Sequence, residues 1–392
     1  MDLRFTEEQE RTRKMARELA AKEIAPIAAE IDETGQFPRE VMEKMAEAGL
    51  FGILIPPPFG GAGGERLTFA LTVEEIAAAS ASVAWSFLTS TGVAFLILAF
   101  GSDAQKKKYL PALAKGETLG AFALVEPSGG TNWQMTLRTR AAAEGDQYVV
   151  NGSKCFISNA GEADIYIVLV RTDPAKGSMG ISALIVEKDT PGFSLGTQED
   201  KFGLRGDPTG ELIFEDCRVP KENLLGQEGD GVKLFQALGA LDCAGHAAVC
   251  VGIAQAALEA SVNYTKERVV VEPMTLANFE NVQRTIADMT VAVEAARLIA
   301  YRSVLPREGE GPDPFVFLAA MFGNEVAIDV AGKAVTLHGG YGCTKDFPVG
   351  RYFRDAKTLS LQKTSDFVRA TVGKMLLGVP LGPPPGAGGP PK

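Results

Sequence analysis

The chain has 392 residues, of which 46% are hydrophobic, and its formal net charge is -10 at pH 7. A chain of this length buries roughly three quarters of its unfolded surface, so we expect two or three domains that need no disulfide or metal support. The acidic balance argues against an electrostatic grip on nucleic acid or an anionic membrane, because binding phosphate needs a basic face. The lysine run at residues 106–108 is interpreted as a solvated helix face.

The sequence shows no pattern typical of a metal site or of export. The five cysteines have no paired Cys-x-x-Cys spacing, and the two histidines, His246 and His338, lie far apart, so we predict no zinc site and no disulfide framework. The first residues lack the apolar core of a signal peptide, which favours a cytoplasmic protein. The apolar stretch 83–100 contains serines, threonines and a glycine, and we interpret it as a buried helix of a soluble fold without membrane contact.

Residues 1–119 predict an all-helical N-terminal domain. Apolar residues recur there at helical spacing, beginning with a capping-box pattern from Thr6 to Gln9. Prolines and glycines between Pro56 and Gly64 interrupt this pattern and predict a break between helices.

Residues 120–229 predict a compact antiparallel β domain, either a barrel or a sandwich. Short β-rich runs alternate with turn signals. The turn sequences are residues 144–146 and the Asn151-Gly152 pair, the second being of the type that joins antiparallel strands. The predicted strands are 121–125, 147–150, 165–170, 183–186 and 211–214.

Residues 230–382 return to helical periodicity and predict a C-terminal four-helix bundle. The helices are expected at 234–268, 278–304, 314–337 and 358–377. The last residues, 383–392, are almost wholly proline and glycine, so we predict a disordered tail. The predicted fold class is therefore mainly α with a central β domain.

Three sequence blocks and a C-terminal run carry the functional signal. They are Ala-Leu-Val-Glu-Pro-Ser-Gly-Gly-Thr-Asn at 123–132, Asn-Gly-Ser-Lys-Cys-Phe-Ile-Ser-Asn-Ala at 151–160, the block 203–220, and the run 339–364 with Gly-Gly-Tyr-Gly, Arg-Tyr-Phe-Arg-Asp-Ala-Lys and Leu-Gln-Lys-Thr. In order and spacing they resemble the acyl-CoA dehydrogenase flavoproteins, over residues 6–378. The resemblance implies an FAD-dependent oxidoreductase that acts on acyl-CoA, passes electrons to an electron-transferring flavoprotein, and forms a homotetramer or homodimer.

The same resemblance implies which residues contact the flavin ring. Phe156 packs on the isoalloxazine, and the Ser158 hydroxyl donates to its reactive edge, where an aligned donor stabilises the negative charge left by hydride arrival. Val125 stands where the family commonly has Thr, so backbone amides replace a side-chain hydrogen bond. Thr131 takes the place of a Ser that contacts the phosphate region of coenzyme A.

Other implied cofactor contacts come from the helical domain. Arg268 reaches the flavin diphosphate of a neighbouring subunit, since a planar and permanently charged fork suits a diphosphate. Alternatively, the positive charge of Arg268 interacts favourably with the C-terminal end of the helix macrodipole. Thr336 stands where a Gln commonly meets the adenine. The remaining cofactor contacts implied by the resemblance are Gly339, Gly340 and Thr364. The two glycines allow a close backbone approach to a ligand.

The residue at the position of the family's usual catalytic base is different in this chain. Dehydrogenation of an acyl thioester removes an α-proton, and the family commonly uses a Glu one residue before a Gly-Thr pair. Here Gln362 stands there, a substrate-binding position whose amide is not basic near neutral pH. Family members that lack this Glu can carry the base on the long helix, ten residues before a motif that resembles Gly-Ile-Ala-Gln, and in this chain that position is Asp242.

Asp242 is also unusual on chemical grounds, as a single carboxylate among apolar neighbours, where desolvation would raise its pKa. His246 lies four residues on and projects from the same helix face, so the two residues are a candidate base and tuner. The alternatives are a structural or solvated Asp242, or His246 as the base. Cys243 replaces an Arg that usually contacts coenzyme A.

Other reactions and substrates stay open at this point. Without the usual base, the fold is compatible with elimination, such as desulfination or decarboxylation, with enoyl-CoA reduction, or with a non-catalytic subunit, which the retained Phe156, Ser158 and Arg268 disfavour. The hydroxyls of residues 89–91 favour a short, cyclic or polar acyl group, unless they bond to their own helix. No Arg that would hold a second carboxylate is obvious on this helix.

Overall fold

The computed structural model describes residues 4–130, 133–305, 313–363 and 365–379. Thr131, Thr364 and the predicted tail 383–392 lie outside these ranges, so their predicted roles remain predictions.

The N-terminal part is helical, as predicted. Its first helix begins with the predicted capping box, in which the Thr6 hydroxyl accepts from Gln9 N at 3.2 Å and the Gln9 side chain accepts from Thr6 N at 2.9 Å. The α-helices are α1 (Glu7–Leu19), α2 (Ala28–Thr34), α3 (Arg39–Glu47), α4 (Arg66–Ala79), α5 (Ala81–Phe100) and α6 (Asp103–Ala114).

The middle part is an open β-sheet with two edge strands. Its strands are β1 (Gly120–Ala123), β2 (Arg140–Glu144), β3 (Gln147–Ser158), β4 (Ile165–Arg171), β5 (Ile181–Glu187), β6 (Phe193–Gln198), β7 (Thr209–Pro220) and β8 (Leu224–Leu225), with the short helix α7 (Trp133–Thr136) after β1. The order is β6-β7-β3-β2-β4-β5-β8, and β1 pairs with β4. Pairing is antiparallel except for β1 with β4 and a single parallel pair between β2 and β4. The described strands form no closed barrel, so that form of the predicted β domain is wrong.

One predicted turn is a bulge instead. The turn at 144–146 does join β2 to β3, with Glu144 opposite Gln147. Asn151 and Gly152, however, lie within β3, where the pairing with β7 shifts register. Gly152 has a φ of 143°, and a Cβ there would lie 2.7 Å from the Thr139 Cα atom. Glycine is therefore needed at this position for a close approach inside a bulged strand rather than for a hairpin.

The C-terminal part is helical and is organised around one long helix. Its elements are α8 (Gly231–Glu267), the hairpin β9 (Val269–Val271) and β10 (Met274–Thr275), α9 (Glu280–Val304), α10 (Pro314–His338), α11 (Val349–Ser360) and α12 (Ser365–Leu376). Small residues on α8 let neighbouring helices approach closely, since a Cβ on Gly252 would lie 2.5 Å from the Glu74 carbonyl oxygen of α4. The single helix predicted at 358–377 is wrong. It is two helices, α11 and α12, with a turn between them.

Among the residues that the structure describes, three helical stretches are long and apolar enough to cross a membrane, judged by length and composition alone. They lie at α5, α8 and residues 314–343, and 72%, 78% and 50% of their most apolar windows are buried inside the fold. The prediction of a buried helix at 83–100 is confirmed, because α5 packs between α4, α8 and the sheet.

The three parts meet at a polar junction beside α11. The buried Asp355 carboxylate accepts from Leu204 N at 2.7 Å, and Arg354 forms an ion pair with Asp32 of α2. Arg205 donates to the Asp32 carbonyl at 2.6 Å. Burial raises the pKa of Asp355 to about 6. The junction fixes α11, and hence the turn that follows it, against both other parts of the chain.

Candidate active site

Phe156 is held on the surface of β3 by an unusual backbone conformation. Its φ of 55° lies in the left-handed region, which a bulky residue occupies only where its surroundings enforce it. The enforcement comes from a bulge, because the β3–β7 register shifts between Lys154 and Ile157. The Phe156 side chain is 61% exposed. A bulge that turns an aromatic ring outward gives a platform for a flat ligand.

The loop after β1 is fastened to β3 beside this platform. Lys154 is fully buried and donates to Glu126 Oε1 at 2.8 Å and to the Leu124 carbonyl at 3.2 Å. Burial lowers the pKa of Lys154 to about 8. Burial works to raise the pKa of Glu126, but the Lys154 charge and the hydrogen bonds from Lys154, Thr139 and Arg138 N together outweigh it, so the net direction is down. The half-buried Val125 accepts from Cys155 N at 2.9 Å through its carbonyl, so the loop is tied to the strand that carries Phe156.

Ser158 joins the sheet to the N-terminal helices. Its hydroxyl accepts from Trp85 Nε1 at 3.0 Å and donates to Asp207 Oδ2 at 2.9 Å. Asp207 is buried and is also held by Ser86 and Lys201, both at 3.1 Å. The Ser158 hydrogen therefore points at Asp207, and donation to another acceptor requires it to rotate away.

His246 continues this series of contacts into the C-terminal helices. Its ring meets the Trp85 ring edge-on, with centroids 5.8 Å apart. It is buried, and its Nε2 lies 2.7 Å from Asn324 Oδ1. Since the Asn324 amide nitrogen donates to the Lys363 carbonyl at 2.7 Å, its oxygen must face His246, and Nε2 carries the hydrogen. Burial lowers the pKa of His246 to about 4, which makes it a poor proton acceptor at neutral pH.

Asp242 is not the isolated carboxylate that its apolar neighbours suggested. It forms an ion pair with Lys363, and the two side chains are 22% and 20% exposed. Burial alone would lower the pKa of Lys363, but the charge of Asp242, the Cys243 thiol and the hydrogen bond to Asp242 together raise it overall. The hydrogen bond of His246 goes to Asn324 rather than to Asp242, so the structure does not form the direct base-and-tuner contact.

Gln362 lies in the turn between α11 and α12. It is exposed, and its backbone N–H donates to the Leu359 carbonyl at 3.0 Å. The next residue, Lys363, turns back to α8. The turn thus directs Lys363, rather than Gln362, towards Asp242.

A second cluster gathers other predicted cofactor residues at the far end of α8. The Arg268 guanidinium lies 5.8 Å from the Tyr341 ring centroid. Gly339 and Gly340 are exposed, Gly339 has a φ of 60°, and no heavy atom lies within 4 Å of a Cβ built on either. The Thr336 hydroxyl donates to its own helix, at the Gly332 carbonyl, at 3.0 Å. Arg268 is about 39 Å from Asp242 along the helix, at about 1.5 Å per residue.

Sequence reasoning missed four residues that the structure brings together: Trp85, Asp207, Asn324 and Lys363. Asn324 had a signal, because it is a single amide inside the apolar run of α10. The others had only weak signals, since their roles depend on which helices and loops become neighbours.

The residues around Phe156 and Ser158 fit a flavin. Phe156 supplies an exposed planar ring, and Gly130, with a φ of 128°, has open space where a side chain would stand. Ser158 lies two residues beyond the platform with a hydroxyl able to reorient. A flat polar ring is thereby offered one aromatic face, one hydroxyl and a glycine loop.

Comparison with known proteins agrees with this geometry. The chain matches the family descriptions for the acyl-CoA dehydrogenase N-terminal domain at residues 6–117, the middle domain at 121–217 and the C-terminal domain at 229–376. It is 43% identical over 379 residues to an acyl-CoA dehydrogenase of Bacillus subtilis, covering 96% of this chain and 100% of that protein. It is also 43% identical over 389 residues to an acryloyl-CoA reductase (NADH) of Anaerotignum propionicum, covering 96% of each.

Solved structures show the same fold. Butyryl-CoA dehydrogenase from Megasphaera elsdenii superposes with a TM-score of 0.93 at 38% identity, covering 96% of this chain and 100% of that one. A chain from a study of the electron transferring flavoprotein of Acidaminococcus fermentans superposes with a TM-score of 0.93 at 41% identity, with the same coverage. The chain therefore belongs to the acyl-CoA dehydrogenase family of FAD-dependent oxidoreductases.

Proposed function

We propose that the protein oxidises an acyl-CoA thioester between its α and β carbons, with Asp242 accepting the α-proton. The observation that carries this proposal is the position of Asp242, a carboxylate on the face of α8 that packs against α5. On that face, a Cβ on Gly245 would lie 2.3 Å from Leu88 Cδ1, and His246 contacts Trp85. Trp85 leads directly to Ser158. The carboxylate is thus on the helix face that reaches the flavin-ring residues.

Each group has a defined task in this reaction. FAD, when bound, accepts the hydride that leaves the β carbon. Asp242 supplies the carboxylate that takes up the proton, and it forms an ion pair with Lys363. Asn324 and His246 hold the turn that carries Lys363.

The test is anaerobic reduction of the purified yellow protein by acyl-CoA. The reduction is measured as a loss of visible flavin absorbance. Asp242→Asn keeps the size of the side chain but removes its basicity, so flavin and acyl-CoA should bind while reduction slows by about 100-fold or more. Asp173→Asn is a matched control, because Asp173 is an exposed partner of Lys176. Undiminished reduction in Asp242→Asn would remove Asp242 as the base.

A second candidate function is reduction of an enoyl-CoA. The 43% identity to an acryloyl-CoA reductase favours it. The direction of the reaction is decided by mixing chemically reduced protein with acryloyl-CoA. Fast return of the flavin colour without oxygen, together with weak reduction by saturated acyl-CoA, would favour the reductase over the dehydrogenase.

The electron acceptor of the proposed dehydrogenase is an electron-transferring flavoprotein in the cytoplasm. A structural relative that comes from a study of such a flavoprotein supports this. The enzyme works as a homodimer or homotetramer, because Arg268 lies too far along α8 for one flavin to reach both it and the Asp242 end of the helix. Arg268→Leu should therefore weaken flavin retention, measured by the flavin-to-protein ratio after gel filtration, while light scattering gives the oligomeric state.

A further inference from the structure

The ion pair between Asp242 and Lys363 creates a difficulty for proton transfer. When Asp242 accepts a proton it becomes neutral, and the Lys363 ammonium then stands in a mostly buried site without its counter-ion. Leaving a buried charge unpaired is costly. The pair therefore opposes the step that Asp242 has to perform, unless another anion takes over Lys363.

Lys363 cannot simply swing into solvent with its turn. Its carbonyl accepts from Asn324 Nδ2 at 2.7 Å. Asn324 is buried and is itself fixed by the His246 hydrogen bond at 2.7 Å. The backbone of Lys363 is thus anchored to α10 and α8, and only its flexible side chain can change partner.

The ammonium has unused hydrogen-bonding capacity. It carries three N–H donors, and within the described residues Asp242 is its one hydrogen-bond partner. Its side chain is 20% exposed, so a small group can reach it. The Thr89 and Thr91 hydroxyls of α5 donate to their own helix, to the carbonyls of Trp85 and Phe87 at 3.0 Å.

We propose that the acyl group of the substrate carries a terminal carboxylate that binds Lys363 and releases Asp242. The substrate class is then the coenzyme A thioesters of dicarboxylic acids. Lys363 keeps its protons and exchanges the Asp242 carboxylate for the substrate carboxylate. Asp242, freed from the pair, is the acceptor for the α-proton. This inference rests on the proposed function and names its specificity-determining residue.

Binding affinity provides the first test, and it needs no variant. Glutaryl-CoA and its terminal amide have the same shape and differ in one charge. Isothermal titration calorimetry of the flavin-loaded protein should show the carboxylate form binding about tenfold tighter or more, as expected for a charge-assisted hydrogen bond. Succinyl-CoA and adipyl-CoA, each with its amide, set the chain length. Equal affinities for acid and amide at every length would overturn the proposal.

Variants then test whether Lys363 is the residue responsible for tighter binding of the acid than of the amide. Lys363→Met should abolish the preference for the acid, while Lys363→Arg should keep it, because the cation is retained. Lys188→Met is the matched control, since Lys188 pairs with Asp164 at 2.7 Å on the surface, and it should keep the preference unchanged. A preference that survives in Lys363→Met would overturn the assignment to Lys363. If that variant does not retain flavin, the wild-type comparison and Lys363→Arg decide.

This test separates the inference from the proposed function. In Asp242→Asn the acid should still bind better than the amide, although flavin reduction is lost with both. Reduction without loss in Asp242→Asn contradicts the base, whereas loss of reduction without any acid preference in the wild type contradicts Lys363 as the carboxylate receptor.

Discussion

The indole of Trp85 donates to the Ser158 hydroxyl at 3.0 Å, which joins helix α5 to the strand that carries Phe156. Because the Trp85 ring also meets His246, this one residue contacts both the sheet and α8. Each domain therefore contributes to the site through a side chain that touches Trp85.

Replacing Trp85 by Phe tests this relationship. The ring remains but the donor to Ser158 is lost, which should lower the free energy of unfolding by about 1 kcal/mol and alter the visible spectrum of bound flavin. Trp133→Phe is the control, because Trp133 packs against Phe235 with centroids 4.9 Å apart. Identical flavin spectra in both variants would contradict the role of Trp85.

Phe156 should show a conflict between stability and cofactor retention. Phe156→Gly relieves the positive φ and should raise the free energy of unfolding of the flavin-free protein by about 1 kcal/mol, while weakening flavin binding. Phe202→Gly is a control of similar exposure, 59% against 61%. Denaturant unfolding and flavin fluorescence titration measure the two effects. Unchanged flavin affinity in Phe156→Gly would count against the platform.

The buried pair of Glu126 and Lys154 should be strongly coupled. Glu126→Gln leaves the Lys154 ammonium unpaired and should cost about 3–5 kcal/mol. Adding Lys154→Met to that variant should recover part of the loss, because no buried charge remains. A double-mutant cycle by chemical denaturation gives the coupling. Additive effects of the two changes would show that the pair does not hold the loop.

Asp355 should make stability fall as the pH rises. Its pKa is raised from 3.8 to about 6 by burial, so its contribution is fully present below pH 3.8 and is lost as the pH rises through about 6. The loss amounts to at most about 3 kcal/mol. The pKa of His246 is shifted the opposite way, from 6.5 to about 4, so its contribution is present above pH 6.5 and falls as the pH drops.

The two contributions are separated by comparing the wild type with Asp355→Asn at each pH. The His246 contribution cancels in the difference, and the variant should gain stability relative to the wild type between about pH 4 and 7. Urea unfolding at several pH values measures it. A difference that does not change with pH would contradict the raised pKa.

The order of helical, β and helical regions was predictable because periodicity and turn residues are local signals. The capping box at Thr6 is a clear case. Gly152 was misinterpreted because a glycine in a hairpin turn and one in a bulge look alike until the partner strand is known. The turn after Ser360 was missed because residues 358–377 keep a helical pattern across it.

The site was predictable only where it resembles its family. Phe156 and Ser158 stand in a recognisable block. Lys363 lies in the recognisable C-terminal run, but its role could not be predicted, because its partner Asp242 becomes a neighbour only when the chain turns towards α8. Asp242 was located by spacing, but its counter-ion depends on tertiary contacts.

Lys363 is anchored through its backbone carbonyl, so the anchoring hydrogen bond does not depend on which side chain stands at this position. Asn324 would hold the turn equally well with a neutral, acidic or longer basic residue at this position. One codon is then enough to change the charge beside Asp242 while the backbone anchor of the turn is kept. For engineering, position 363 is the place to begin a library aimed at acyl groups of different charge.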